Sequence, residues 1–227
     1  TMAVAGTYNL AVQSLAQSHQ TSSAGYADPN AQIKEGTLSI QVGTGTVTNV
    51  TVDSRNNTLS GLAESINAAG GDVRASVIND GSATPYRLLL SSTKTGAANA
   101  ITVTNNLTAG TGADLNPTAS TVQSAADARV SLGSGPGAVT VNSATNQVTG
   151  LIPGVTITVA KADAAKPITL TVGNDTAGAS KAVDEFVTAY NAAIDYVRDR
   201  SKFDAESKSA GILLGDRTAK SLTNELT

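Results

Sequence analysis

The sequence changes character abruptly near residue 175. Before that point the chain is rich in Thr and Gly, and apolar residues alternate with polar ones, as in the run from Gly150 to Val159. After it, apolar residues recur every three or four positions, from Val183 to Val197. Alternation is typical of strands, and the longer period is typical of amphipathic helices. The order predicts β-rich heads on a helical stalk, an architecture more usual in extended assembly proteins than in enzymes.

Composition limits how such a chain can fold. Its 227 residues are enough for two small domains, or for three if one is inserted in another. Aromatic residues make up 3% and Trp is absent, so the core must be built from Val, Ile, Leu and Ala. Charged residues make up 15%, below the roughly 25% of typical globular domains. The Thr-, Ser-, Asn- and Gly-rich surface that remains is common in secreted bacterial β proteins and appendage subunits.

Charge and residue usage exclude several classes of function. The formal net charge is −3 and no Lys/Arg cluster is present, so we expect no nucleic-acid partner. Cysteine is absent, which excludes disulfides, thiolate metal sites and cysteine nucleophiles. The sequence contains no run of about 18 apolar residues, so it predicts no membrane span. We expect the natural protein to continue beyond both ends of this sequence, because neither end resembles a natural terminus.

Periodicity predicts two sets of strands and one short helix before residue 176. The helix is predicted over 58–69, with Thr58 as its N-cap and Gly70-Gly71 at its end. Polar or Thr/Gly-rich stretches at 16–31 and 105–121 predict irregular structure. Strands are predicted over 8–15, 36–43, 46–52, 73–78, 86–90, 101–103, 127–132, 139–141, 155–159 and 168–172.

The C-terminal part is predicted to be helical from residue 180. Asp184 and Glu185 are placed in the first turn and Arg198, Arg200 and Lys202 near the other end, the arrangement that the helix dipole favours. Asp216 is predicted to cap a last helix. One apolar stripe follows the long helix: Val183, Phe186, Val187, Tyr190, Ile194 and Val197. The apolar face of the last helix consists of Ala219, Leu222 and Leu226.

Residues that could carry chemistry all have ordinary structural explanations. His19, the only histidine, lies in a polar run and is expected to be solvated or on an edge strand. The closest carboxylate pairs, Asp204 with Glu206 and Asp184 with Glu185, are explained by solvation and helix capping. The run from 133 to 137 is expected to be a β-turn, because no Gly-Lys-Ser/Thr of a phosphate loop follows it. We therefore predict no catalytic, cofactor-binding or metal-binding residues and no enzymatic activity.

The apolar stripe has two interpretations that the sequence leaves open. Its residues could pack inside the helical bundle of one chain, or they could contact another subunit or a partner protein. Tyr is enriched at interface hot spots, so the tyrosines are also candidate contact residues. Nothing in the sequence selects among them: Tyr26, Tyr86, Tyr190 and Tyr196.

The order of these features resembles a known family, the bacterial flagellar filament cap proteins, or FliD family of flagellar hook-associated proteins. The segment from Gly36 to Val77 is also similar to an insertion module found in flagellins. We expect the sequence to be a fragment that lacks the family's terminal coiled-coil regions. The segments that carry the resemblance are Tyr8-Asn9-Leu10-Ala11-Val12, Leu15-Ala16-Gln17, Gly36-Thr37-Leu38-Ser39-Ile40, Thr58-Leu59, Ile66-Asn67-Ala68, Val73-Arg74-Ala75-Ser76-Val77, Leu88-Leu89-Leu90-Ser91-Ser92, Ile152-Pro153-Gly154-Val155-Thr156, Val172-Gly173-Asn174-Asp175, Phe186-Val187, Tyr190-Asn191 and Gly211-Ile212-Leu213-Leu214-Gly215-Asp216.

The resemblance implies an α+β fold of three nested domains. The helical stalk would use 1–7 and 176–227, the first β-rich head 8–35 and 122–175, and an inserted second head 36–121. The family's function implies a structural cap at the outer tip of the flagellum that promotes folding and insertion of exported flagellin and prevents its loss. Its partners would be flagellin and itself, in a ring of about five subunits with heterologous contacts between neighbours.

Three other functions stay open. A surface adhesin that binds host mucin or glycans would fit the Thr- and Asn-rich heads and predicts binding without any effect on filament growth. Another flagellar axial protein, such as a hook–filament junction subunit, predicts that its loss sheds whole filaments. A secreted hydrolase would require converging carboxylates or a serine nucleophile in a cleft, and no such pattern is present in the sequence.

Overall fold

A computed structural model describes residues 3–133, 135–206 and 208–226 of the chain. The fold is mixed α+β, with many strands and few helices, as predicted. The chain divides into two compact units, the first ending at Val172 and the second beginning at Gly173. No helix of the described ranges is long and apolar enough to cross a membrane.

The first unit holds most of the strands, and the second holds the long helix. The elements of the first unit are β1 (Gly6–Ser14), β2 (Ser18–Ser22), β3 (Glu35–Val42), β4 (Thr48–Val52), α1 (Leu59–Ala68), β5 (Val73–Asn79), β6 (Tyr86–Thr95), β7 (Ile101–Ala109), β8 (Ser120–Gln123), β9 (Ala128–Leu132), β10 (Val139–Ser143), β11 (Gln147–Ile152), β12 (Val155–Thr158) and β13 (Ile168–Val172). Those of the second are α2 (Thr176–Ser201), β14 (Phe203–Asp204), β15 (Ser209–Ala210) and α3 (Arg217–Leu226).

One lobe of the first unit, here the terminal lobe, is formed by the strands nearest its two ends. Its main sheet has the order β10-β9-β1-β13, and β11 and β12 form a separate hairpin. Strand β1 is central and pairs antiparallel with β13 on one side and β9 on the other. Alternating side chains of these strands and the hairpin meet in one core: Leu10, Val12, Ala16, Ala128, Val130, Val148, Leu151 and Val159.

The other lobe, here the central lobe, packs α1 with two sheets, β4-β3-β7 and β5-β6-β2-β8. Leu38, Ile40 and Val42 alternate along β3 and are all buried, which confirms the predicted face of this strand. The Oγ1 of Thr58 accepts a hydrogen bond from Gly61 N at 3.0 Å, which confirms the predicted N-cap. Four buried residues at helical spacing form the face of α1 that packs against the core: Leu59, Leu62, Ala63 and Ile66.

Two stretches that were expected to be irregular contain strands. Residues 105–109 continue β7, which pairs with β3 over its whole length. Residues 18–22 form β2, which lies between β6 and β8 although it contains no apolar side chain. The predictions were wrong here because backbone pairing, together with hydroxyl hydrogen bonds, replaces the apolar alternation on which they relied.

The polar residues at the end of β2 and at the next position are buried and hydrogen-bonded. Thr21 and Ser23 are 2% and 0% exposed. The Oγ1 of Thr21 donates to Ser120 O at 2.9 Å, and Leu88 N donates to Ser23 Oγ at 2.9 Å. A buried polar atom without a hydrogen-bond partner costs free energy, so these bonds favour this position of β2 between its neighbouring strands.

A set of short polar contacts joins the two lobes. The Oγ1 of Thr95 donates to Ala144 O at 2.6 Å, and Ala97 N donates to Asp127 Oδ1 at 2.7 Å. Strand β2 joins the sheet of the central lobe, although the family resemblance groups residues 8–35 with 122–175. The three-domain division stays a prediction.

The Ser23→Ala variant tests the buried hydroxyl. We expect its free energy of unfolding to fall by about 1–3 kcal/mol, because the Leu88 N–H loses its acceptor in the interior. Ser76→Ala, an exposed serine on β5, is the control and should change stability by less than about 0.5 kcal/mol. Urea unfolding of the chain gives both values, and equal stability of the two variants would contradict the assignment.

Candidate functional site

The long helix α2 begins earlier than the sequence predicted. Its N-cap is Asp175, whose Oδ1 accepts a hydrogen bond from Gly178 N at 2.8 Å. The predicted start at residue 180 was therefore wrong, and Asp184 and Glu185 lie beyond the first turn, which contains no acidic residue. Arg198 and Arg200 do lie in the last turn, as predicted. With 26 residues, α2 is about 39 Å long.

The apolar stripe of α2 follows a heptad pattern. Positions 183, 190 and 197 repeat every seven residues, as do 187 and 194, so these residues form the seam by which coiled-coil helices pack. We call this surface the α2 seam, and it consists of Val183, Val187, Tyr190, Ile194 and Val197, with Phe186 at its border.

The two halves of the α2 seam differ in exposure. Ile194 is 8% exposed, whereas Val183 is 60% and Phe186 69% exposed. Phe186 packs only loosely on Tyr190, with ring centroids 6.2 Å apart. Contiguous exposed apolar residues on a helix mark a surface that packs against something else. The N-terminal half of the seam is therefore the candidate functional site.

The segment after α2 folds back on the C-terminal end of the helix. Gly211 N donates to Lys202 O at 3.0 Å, and Leu213 N donates to Arg200 O at 2.9 Å. The last carbonyl groups of a helix have no partner within it, so this segment satisfies two groups at that end. A Cβ on Gly211 would come within 2.1 Å of Arg200 O, so the close approach requires glycine. Leu213 lines a small pocket together with Val197 and Ala219, so this segment lies beside the C-terminal end of the seam.

Asp216 caps the last helix, as predicted. Its Oδ1 accepts hydrogen bonds from Thr218 N at 2.7 Å and Ala219 N at 3.1 Å. These bonds, first that from Ala219 and then that from Thr218, lower the pKa of the Asp216 carboxyl below its usual value. The predicted apolar face of α3 includes Leu222 and Leu226, whose side chains lie outside the described residues.

The candidate residues for chemistry lie in different elements and have structural partners. His19 is half-buried in β2, an internal strand, and its Nδ1 accepts from Ile101 N at 3.1 Å, so the expected edge-strand position was wrong. Asp204 Oδ1 accepts from Glu206 N at 2.9 Å in a turn. Glu185 pairs with Lys181 at 3.7 Å on the surface of α2. Within the described ranges, no three acidic, histidine or cysteine residues form a metal-binding cluster.

The tyrosines separate into internal and surface residues. Tyr26 is 8% exposed, its hydroxyl donates to Asp114 O at 2.6 Å, and burial raises its pKa. Tyr86 exchanges backbone hydrogen bonds with Tyr26 and is half-buried. Tyr196 is 61% exposed, with the Arg200 guanidinium 5.4 Å from its ring centroid. Tyr196 is therefore the exposed candidate, and Tyr190, also on α2, is half-buried.

The fold and the seam define a class of protein with β-rich lobes and a long helix whose apolar face is open for packing. Comparison with known families agrees with this class. Residues 125–227 match the family described as the flagellar hook-associated protein 2 C-terminus, and residues 37–94 match the flagellin hook IN motif. The chain belongs to the FliD family of flagellar hook-associated proteins, as the resemblance in the sequence indicated.

Individual relatives support the assignment. The chain is 38% identical over 245 residues to the B-type flagellar hook-associated protein 2 of Pseudomonas aeruginosa, covering 99% of this chain but 51% of that protein. A crystal structure of FliD from P. aeruginosa PAO1 matches with a TM-score of 0.75 and 36% identity, over 90% of this chain and 95% of that one. FliD domains D1-D2-D3 of Escherichia coli match with a TM-score of 0.74, 26% identity and 98% of this chain, and 62% of that one. The chain thus spans about half the length of the curated relatives it matches.

The Gly211→Ala variant tests the fold-back at the end of α2. We expect the free energy of unfolding to fall by about 1–3 kcal/mol, because the added methyl group forces the segment away from Arg200 O. Gly173→Ala is the control, since a Cβ there meets nothing within 4 Å. Thermal melts followed by circular dichroism compare the two variants, and equal melting temperatures would refute the role of the close approach.

The cap of α3 should respond to pH. Because its pKa is lowered in the folded chain, the Asp216 carboxylate stabilises α3 above its unfolded pKa of about 3.9, and the effect is lost as pH falls through the folded value. Carboxyl chemical shifts in an NMR titration measure this pKa. The Asp216→Asn variant keeps a capping oxygen but has no carboxyl group to titrate. In this variant, the amide chemical shifts of Thr218 and Ala219 should no longer change with pH in this range. An ordinary Asp216 pKa would contradict the capping role.

Proposed function

We propose that this chain is the lobe-and-helix part of a structural cap at the outer end of a bacterial flagellar filament. The cap would promote folding and insertion of exported flagellin and prevent its loss. Family membership supports this proposal, and so does the exposed half of the α2 seam, the observation that carries it. An apolar heptad seam on a long helix is suited to assembly with other helices.

The proposal includes the nested arrangement that the resemblance implies. A helical stalk of 1–7 and 176–227 would carry a β-rich head of 8–35 and 122–175, with a second head of 36–121 inserted in it. Pairing of Gly6 with Val172 supports this arrangement, because the chain between them returns to its starting point. Residues 18–22 would then form a connection that joins the inserted head's sheet.

The proposed mechanism is non-covalent, and no enzymatic step is involved. Burial of a fully exposed Val or Phe side chain stabilises a contact by about 1.5–3 kcal/mol. Val183, Phe186 and Val187 are 60%, 69% and 46% exposed, so each would contribute a part of that free energy to helix packing. Neighbouring subunits would form a ring through heterologous contacts, which leaves each subunit free to move against the next. Flagellin leaving the channel would be confined beneath this ring, outside the cell.

The proposal is tested by deletion and complementation in the source bacterium. Loss of the parent gene should give short or absent filaments with monomeric flagellin in the medium, and the full-length protein should restore filaments. The full-length Val183→Glu/Val187→Glu double variant should restore filament length at least about tenfold less well, because burying carboxylates in a helix interface costs several kcal/mol. Electron microscopy and assay of secreted flagellin measure both effects.

Ala192→Glu is the matched control for the seam. Residue 192 is exposed on α2, at the heptad position opposite the seam, so its variant should complement like the unchanged protein. Melting temperatures of the purified variants establish that each one is folded. Normal filaments in the deletion strain would overturn the proposal, and mucin or glycan binding without a filament defect would then favour an adhesin. Whole filaments shed into the medium would favour a junction protein.

A further inference from the structure

The turn between β5 and β6 contains a chemically reactive pair of residues that the proposed cap function does not use. Asp80 is followed by Gly81, and this is the one Asp-Gly pair in the sequence. Both residues are exposed, and a Cβ built on Gly81 meets nothing within 4 Å. The turn is therefore open around the peptide bond that joins them.

An Asp-Gly pair can isomerise through a cyclic imide. The Gly81 nitrogen bonds to Cγ of Asp80, one carboxyl C–O bond breaks, and one water leaves with the amide proton. A second water opens the ring at the main-chain carbonyl carbon of Asp80, so that the backbone then runs through Cγ as isoaspartate. The net change is an isomerisation, which requires no oxidant or cofactor. Glycine favours the first step, because it has no side chain to hinder close approach of its backbone.

Hydrogen bonds hold both oxygens of the Asp80 carboxylate. Arg87 Nε donates to Oδ2 at 2.5 Å, and Ser82 N donates to Oδ1 at 3.0 Å. The bond from Arg87, and after it those from Ser82, hold the pKa of the Asp80 carboxyl well below its usual value. Imide formation proceeds from the protonated carboxyl, because water leaves it far more readily than oxide leaves a carboxylate. The ion pair therefore keeps Asp80 in its unreactive form.

The geometry of the turn also opposes ring closure. Gly81 N, the attacking atom, donates to Asn79 Oδ1 at 2.9 Å, and Asp80 N donates to Pro85 O at 2.9 Å. Ring closure removes one oxygen of the Asp80 carboxyl, so the bond from Arg87 or the bond from Ser82 must be lost. Arg87 is itself held in place, since its Nη1 donates to Ser23 O at 3.3 Å.

We propose that Asp80 is a site of spontaneous isoaspartate formation and that its ion pair with Arg87 suppresses this reaction in the folded chain. The guanidinium group acts in two ways, because it keeps the carboxyl ionised and holds it in place. The two side chains are 32% and 27% exposed, so solvent screens their interaction only in part. Arg87 is thus a positioning residue that protects the turn.

Isomerisation at this position would disturb the pairing of β6. Isoaspartate adds one methylene group to the main chain directly after Asn79, which pairs with Tyr86 at the end of the β5–β6 ladder. Tyr86 in turn exchanges backbone hydrogen bonds of 2.8 and 3.0 Å with Tyr26. Because these bonds depend on the length of the turn, we expect faster amide exchange at Tyr26 and Tyr86 in the isomerised chain.

Ageing of the purified 227-residue chain at neutral pH tests the proposal. Peptide mapping with electron-transfer mass spectrometry locates and counts isoaspartate at residue 80. Arg87→Gln should raise it at least about fivefold, because each pKa unit that the carboxyl regains raises its protonated fraction about tenfold. Arg74→Gln is the matched control. It removes a charge from the neighbouring strand β5, where the guanidinium bonds backbone carbonyl groups, and should age like the unchanged chain.

Three results would overturn the proposal. Equal amounts of isoaspartate at residue 80 in Arg87→Gln and the unchanged chain would remove the protecting role of the ion pair. An equal rise in Arg87→Gln and Arg74→Gln would assign the effect to net charge. Faster amide exchange at Tyr86 in fresh Arg87→Gln would assign it to a loosened turn. None of these results depends on filament assembly, so the proposal can fail while the cap function stands.

Discussion

The pairing of β1 with β13 is the constraint on which the first unit depends. It joins Gly6 to Val172 and Leu10 to Ile168, and so closes almost the whole unit into one loop. Closing so long a loop costs entropy, but the cost grows only slowly with length. Interactions of β1 offset this entropy cost. Strand β9 pairs with its other edge, and Leu10 and Val12 are buried in the core. The chain then reaches the cap of α2 at Asp175, three residues after β13 ends.

Within that loop, the two lobes are joined by polar contacts rather than by a shared core. Residues 95 and 97 of the central lobe make hydrogen bonds shorter than 3 Å to residues 144 and 127 of the terminal lobe. At the centre of the joint is Gly96, where a Cβ would lie 2.7 Å from the Cβ of Ala144 and the φ of +103° is one that side chains disfavour. Directional hydrogen bonds and a close backbone approach fix an orientation more narrowly than apolar contact, which is non-directional.

The sequence predicted an element correctly where apolar residues recurred at the period of a strand or a helix. Strand β3 and helix α1 were predicted correctly, because Leu38 and Ile40 are buried at strand spacing and Leu62 is one of the residues buried at helical spacing. Strand β2 was missed because buried hydroxyls such as that of Thr21 replace that pattern, and their hydrogen-bond partners are distant in sequence. The start of α2 was missed for a local reason, since the cap at Asp175 precedes a first turn of small residues. The α2 seam was predicted, but its exposure depends on packing partners that sequence does not supply.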